Sequence, residues 1–180
     1  MRWEGLFADL EGQLAAEERR ELDSEVAERT RRERALVDLT GRLAAAVGTS
    51  VTLRLEGGRV VAGTLTDVGD GWSLVAAPPR EVLVPHAALV VLEGLPARAD
   101  PARTARRFGL GHALRALARD RATVAVDLAG AAPVVGTVDV VGADHLVLAE
   151  HPDGEPRRRE NVRRLLTVPF GALRAVESRR

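Results

Sequence analysis

Two arginine clusters hold most of the chemistry that this sequence offers. Arg103, Arg106, Arg107 and Arg115 fall within one predicted helix, and Arg157, Arg158, Arg159, Arg163 and Arg164 within one predicted loop. A guanidinium stays charged at all physiological pH and presents a planar fork of donors that fits phosphate. A basic stripe of this kind is the electrostatic footprint of nucleic-acid binding. Two Trp and three Phe in the whole chain are too few to interleave with these arginines as a base-stacking platform. Contacts would therefore go to the phosphate backbone, with strong salt dependence and little sequence preference. The competing reading is that Glu155, Glu160 and the acidic N-terminal arm neutralise the arginines, within the molecule or between subunits.

Other reactive side chains form no constellation. His86, His112, His145 and His151 are scattered, and no two have the i, i+4 spacing of helical metal ligands. Gly109-Leu110-Gly111 begins like a dinucleotide fingerprint but lacks its third glycine and preceding strand. The serines lack the strand-turn-helix setting of a nucleophile, and Asp67 and Asp70 flank a turn, where Asp bonds its own backbone. With no cysteine, thiolate metal sites and cysteine nucleophiles are excluded. The expectation is a non-enzymatic protein with no cofactor and no metal.

Charge is balanced overall but unevenly placed. Residues 1–46 hold eight Arg against eleven acids, and residues 98–121 hold seven Arg against two acids. All positive side chains are Arg and none is Lys, a bias that fits a GC-rich genome and discounts Arg abundance alone as a signal. No apolar run approaches the length of a membrane span. No signal peptide is visible, because Met1-Arg2-Trp3-Glu4 leads into a charged amphipathic segment. The expected location is cytoplasmic, away from membranes.

The elements that would position these groups follow from periodicity. Residues 1–47 read as a long helical arm, with Trp3, Leu6, Phe7, Leu10 and Leu14 on one face at three- and four-residue spacing. That face is a candidate partner-binding surface, in a coiled coil or against another protein. Glu25–Arg29 and Glu28–Arg32 have the favourable i, i+4 order, and Leu36, Leu39 and Leu43 restore an apolar face later. Residues 48–97 hold five short strands, the second bent at Gly63. Residues 98–121 read as a basic linker helix capped by Asp100-Pro101, with Leu110, Leu114 and Leu117 inward. Residues 122–180 then repeat the strand pattern.

The repeat is specific in its spacing. Val51 to Gly63 is matched by Val124 to Gly136, and Gly63 to Gly69 by Gly136 to Gly142. Val84-Pro85-His86-Ala87-Ala88-Leu89 is answered by Val168-Pro169-Phe170-Gly171-Ala172-Leu173, and Glu93 by Glu177. An Arg-rich insertion, residues 150–164, separates strands three and four of the second copy. Self-similarity at a fixed offset marks a tandem architecture.

A helix, a strand pattern broken at fixed glycines, a third strand and a short Pro-containing return resemble the Sm-like fold of the small SH3-like barrels. The resemblance covers residues 36–94 and, more weakly, 104–178. It implies a mainly β protein with helices: two tandem five-stranded Sm-like barrels, each preceded by a helix, plus the long N-terminal arm. Sm and Hfq proteins form rings in which strands four and five of neighbours pair edge to edge, and single-stranded RNA binds in the pore. Their RNA-contacting Asp, Met, Asn and Arg-Gly correspond here to Gly69, Trp72, Ser73 and Pro85-His86, and in the second copy to Gly142, His145, Leu146 and Pro169-Phe170. All depart from the family pattern, so its uridine pocket is not implied. The opening MRWEGLFADLE and the segment AERTRRERAL also resemble an actinobacterial family, some members of which are labelled Fis-like transcriptional regulators. The C-terminus here reads as strand and turn, not as the recognition helix such a regulator needs.

Two functions follow as expectations. One is an adaptor associated with nucleic acid, RNA rather than DNA, that contacts phosphates through the nine clustered arginines. The alternative is a protein-interaction and assembly module without a nucleic-acid role. It would use the N-terminal face or unpaired barrel edges, the latter in a homo-oligomer, because exposed strand edges need partners or protection.

Overall fold

The structure, a computed structural model, describes residues 17, 19–32, 35–97, 99 and 104–178. The candidate partner face Trp3, Leu6, Phe7, Leu10 and Leu14 lies outside the described residues, as do Arg103 and the expected cap Asp100-Pro101. Two compact units are present, Met1–Asp38 and Leu39–Arg180.

In the first unit, residues 19–32 form a helix, α1. Its Leu22 and Val26 are exposed. The expected pair Arg32–Glu28 is made at 2.7 Å on the solvent side. Leu36, expected on an apolar face with Leu39 and Leu43, is instead 85% exposed, because the helical path breaks over residues 36–38.

The second unit begins with α2 (Leu39–Ala45), which buries Leu43 and Ala44. Five strands follow: β1 (Ser50–Leu55), β2 (Val60–Asp70), β3 (Trp72–Ala77), β4 (Arg80–Pro85) and β5 (Leu89–Glu93). A short strand β6 (Arg106–Gly109) and the helix α3 (Leu110–Asp120) lead to the second set. That set is β7 (Thr123–Leu128), β8 (Ala131–Val141), β9 (His145–Glu150), β10 (Arg164–Pro169) and β11 (Leu173–Ser178). A 3-10 turn joins β4 to β5 and another joins β10 to β11. Alternation decides which face is inward: in β1, Val51, Leu53 and Leu55 are buried while the residues between them are more exposed.

The long strands β2 and β8 bend at the same place. A Cβ on Gly63 would stand 2.2 Å from the Ala76 carbonyl oxygen, and one on Gly136 would stand 2.2 Å from that of Ala149. Real side chains never approach a backbone that closely, so both positions require glycine. Two residues later the pairing register shifts, between Leu65 and Asp67 in one copy and between Val138 and Val140 in the other. Such bulges sharpen the twist and bend of a strand.

The strands form one open sheet in the order β10-β9-β8-β7-β11-β4-β3-β2-β1-β5, with β6 joined in parallel to β2. The fold is thus mainly β with helices. The sheet does not close on itself, and the strands run from one copy of the repeat into the next. The junction is antiparallel pairing of β11 with β4, Val176 opposite Leu83 and Glu177 opposite Val82.

Two hydrophobic clusters lie along this sheet. One gathers α2, β1, β2, β3 and β4 residues such as Leu43, Leu53, Leu65 and Val75. The other gathers Leu114, Val126, Leu146, Leu148 and Leu173. Each borrows across the junction: Ala175 of β11 enters the first cluster, and Trp72 and Leu83 enter the second. Burying whole side chains such as Leu83 and Trp72 there contributes about 1.5–3 kcal/mol each, which makes the junction a core element.

The linker differs from the expected single helix. Arg106 and Arg107 lie on β6, whereas Arg115 is on α3. The indole Nε1 of Trp72 donates to the Phe108 carbonyl at 2.8 Å, and β6 pairs with the end of β2, so the segment is held extended until Gly109 starts the helix. Leu114 is fully buried as expected, with Leu110 and Leu117 packed beside it.

Candidate functional sites: the arginine clusters and the sheet edges

Four of the eight described clustered arginines have engaged side chains. Arg106 Nε meets Asp67 Oδ2 at 2.5 Å. Arg157 forms a two-pronged pair with Asp139 on β8, Nε to Oδ1 at 2.8 Å and Nη2 to Oδ2 at 2.5 Å. This contact ties the insertion to the sheet and holds the Arg157 guanidinium above its ordinary pKa, through the hydrogen bond and the carboxylate charge. Arg164 Nε bonds Glu150 Oε2 on the neighbouring strand, and that bond pulls the Glu150 carboxyl below its usual range. Arg115 Nη2 donates to the Gly142 carbonyl at 3.1 Å. Arg163 donates its backbone N–H to the Glu150 carbonyl at 2.9 Å and leaves its side chain exposed.

Arg107, Arg158 and Arg159 are exposed, with no carboxylate at ion-pair distance among the described residues. The two arginine clusters therefore reduce to a few free cations on separate elements. The acids that compensate the others are Asp67, Asp139 and Glu150, not the Glu155 and Glu160 of the insertion. Phe108 is half exposed and stacks on His112, with centroids 4.4 Å apart and planes 15° apart. It is the aromatic nearest in sequence to the free Arg107.

At the positions that the expected Sm-like resemblance would assign to RNA contact, the chain's own side chains pack over the glycines. In the first copy the Trp72 ring covers Gly69, where a Cβ would stand 2.2 Å from the indole. In the second, His145 covers Gly142, where a Cβ would stand 2.5 Å from the imidazole. Ser73, fully buried, shares a 2.9 Å hydrogen bond with His86 Nε2. Among the described residues no group of three His, Asp or Glu is placed to hold a metal ion, and no helix is long and apolar enough to cross a membrane.

The sheet edges and the junction form the other site. At the junction, Glu177 of β11 receives Arg80 of β4 at 2.8 Å and Arg59 at 2.6 Å, and Arg59 also faces Asp127 at 3.6 Å. The Glu177 side chain is only 10% exposed. The sequence singles out Glu177 only as the counterpart of Glu93, and Arg59, Arg80 and Asp127 not at all, because the partners are far apart along the chain and each alone resembles a solvated surface charge. The one available signal was the repeat itself. Aligning β4 (REVLVP) with β10 (RLLTVP) puts Arg80 over Arg164, and aligning β5 with β11 puts Glu93 over Glu177.

The ends of the sheet are β5 and β10, and their outer edges have no strand partner among the described residues. Val90 and Val91 on β5 and Leu165 on β10 are exposed. Glu93 pairs with Arg54 at 3.2 Å, on the surface. No protein-family model matches the chain, and no curated protein sequence matches it significantly.

Proposed function

We propose that the chain is a non-enzymatic assembly module, two tandem Sm-like halves behind an N-terminal helical arm, that joins further copies of itself through its β5 and β10 edges. The supporting observation is the internal junction. There the fourth strand of one repeat, β4, pairs with the fifth strand of the other, β11. The two strands left at the ends, β10 and β5, are the fourth and fifth strands of the opposite repeats. They carry the same charge complement, Arg164 on one and Glu93 on the other, where the junction has Arg80 and Glu177. Unpaired backbone donors and acceptors on an edge template further pairing, and the junction supplies a register for it.

Light scattering on the full chain tests this reading. The native chain should scatter as a multiple of its 19.3 kDa mass. Val91→Lys leaves only the β10 edge competent and Leu165→Lys only the β5 edge, so each alone moves toward monomer. Mixing the two variants yields a dimer and nothing larger. A native chain that stays monomeric at high concentration overturns the proposal.

A second reading, phosphate-backbone binding, rests on the clustered arginines that are exposed without an ion-pair partner among the described residues, Arg107, Arg158, Arg159 and Arg163. Replacing Arg158 and Arg159 with Ala then weakens binding to single-stranded RNA and flattens its salt dependence. Unchanged affinity removes this reading.

A further inference from the structure

A cleft of about 440 Å³ opens where the two repeats meet. The β1–β2 hairpin contributes Glu56, Gly57 and Arg59, the β7–β8 hairpin contributes Asp127 and Gly130, and β11 contributes Arg174. The cleft belongs to neither repeat alone. Its mouth is bare, since a Cβ on Gly57 or Gly130 would meet nothing within 4 Å.

Arg174 is the unusual group. It is 9% exposed, and its repeat counterpart on β5 is the exposed Val90. Its Nη1 donates to the Gly171 and Leu173 carbonyls at 3.0 and 3.3 Å, while its Nε is buried without an acceptor. Its one carboxylate is Glu56, at 2.6 Å from Nη2, and the Glu56 side chain is 62% exposed. A buried, permanently charged guanidinium is costly without full pairing. Here it depends on a surface side chain that water can reach and that a rotamer change removes. Arg59, a second cation of the same cleft, is held by Glu177 at 2.6 Å and faces Asp127 at 3.6 Å, so Arg174 is the cation on which the site depends.

We propose that this cleft binds a small ligand bearing an oxyanion, a phosphate or a carboxylate, which takes the place of Glu56 on Arg174. Arg recognises both groups with paired donors, and a second oxygen of the ligand would supply the acceptor that Arg174 Nε lacks. Glu56 then acts as a tethered stand-in that keeps Arg174 compensated when the cleft is empty. The site needs the internal junction but not edge pairing, so it stands whether or not copies assemble.

The test is an NMR titration of the full chain at constant ionic strength, with inorganic phosphate in one arm and acetate in the other. Saturable shifts confined to the Gly57 and Gly130 amides and their neighbours support the site, and the arm that saturates at lower concentration identifies the favoured group. Glu56→Gln removes the competing carboxylate and should tighten binding several-fold, whereas Arg174→Gln should abolish it. Should Arg174→Gln fail to fold, Glu56→Gln decides alone. Shifts that never saturate, or an affinity unchanged in Glu56→Gln, overturn the proposal.

Discussion

Arg80 and Glu177 meet at 2.8 Å although 97 residues separate them in the chain. Glu177 is nearly buried and also receives Arg59, so one carboxylate holds two guanidiniums of the other repeat at the junction. Removing one member of a buried, hydrogen-bonded charge cluster leaves the others uncompensated. Because Arg80 is about half exposed and can turn to water, Glu177→Gln should cost about 2–3 kcal/mol. Urea unfolding would register this as a lower midpoint. A variant as stable as the native chain would mean the junction is held by Leu83, Val176 and the backbone pairing alone.

The duplicated bend makes a paired prediction. Gly63 and Gly136 face carbonyl oxygens at the same distance, 2.2 Å from an added Cβ. The clash is with backbone, so the neighbouring strand itself must shift. Each Gly→Ala change should therefore destabilise by roughly 1–3 kcal/mol, as overpacking does, and the two values should be similar. Thermal unfolding of the two single variants checks this; a tolerated Gly136→Ala would show that the second copy is the looser of the two.

The Arg157–Asp139 contact fixes the insertion to β8 with two hydrogen bonds. Both side chains are partly solvent-exposed, so the pair contributes little to global stability. Its loss should appear locally. In Arg157→Ala, amides of residues 152–162 should exchange faster and the loop should become the first site of proteolytic nicking, while the global melting temperature stays within about 1–2 °C. Global destabilisation instead would assign the insertion a role in the core.

What could be read from the sequence was what steric necessity writes into single residues. The glycines of both bends recur at fixed spacing because a backbone approaches there and no other residue fits. The Val-Pro-x-x-x-Leu returns recur because each must make a short turn between two strands. The junction leaves only the weaker mark of the repeat, Glu177 answering Glu93, since the pairing of Arg80 and Arg59 with Glu177 exists only once the fold brings them together. The linker was misread for a related reason. Its helical composition extends over Arg106 and Arg107, but pairing with β2 and the Trp72 bond to Phe108 hold that segment extended. Likewise the arginine clusters looked available because Asp67, Asp139 and Glu150, which bind them, sit on other strands.

His86 gives a prediction with a definite sign. Burial disfavours its charged form and lowers its pKa below the ordinary 6.5, outweighing the raising effects of its backbone bond with Trp72 and the Asp70 charge. Its Nε2 shares a hydrogen bond with the buried Ser73. Below pH 6.5 the unfolded chain binds a proton at this residue that the folded chain resists, so folding loses stability as pH falls. The contribution is fully present above the unfolded value and declines from about pH 6.5 until the lowered folded pKa is passed, after which it is constant. Stability measured by urea unfolding between neutral and mildly acidic pH should show this slope in the native chain. In His86→Gln, which retains hydrogen bonding to Ser73 but cannot titrate, the slope should be shallower over the same interval. An identical slope in both proteins would assign the acid sensitivity to other groups and leave His86 with a packing role.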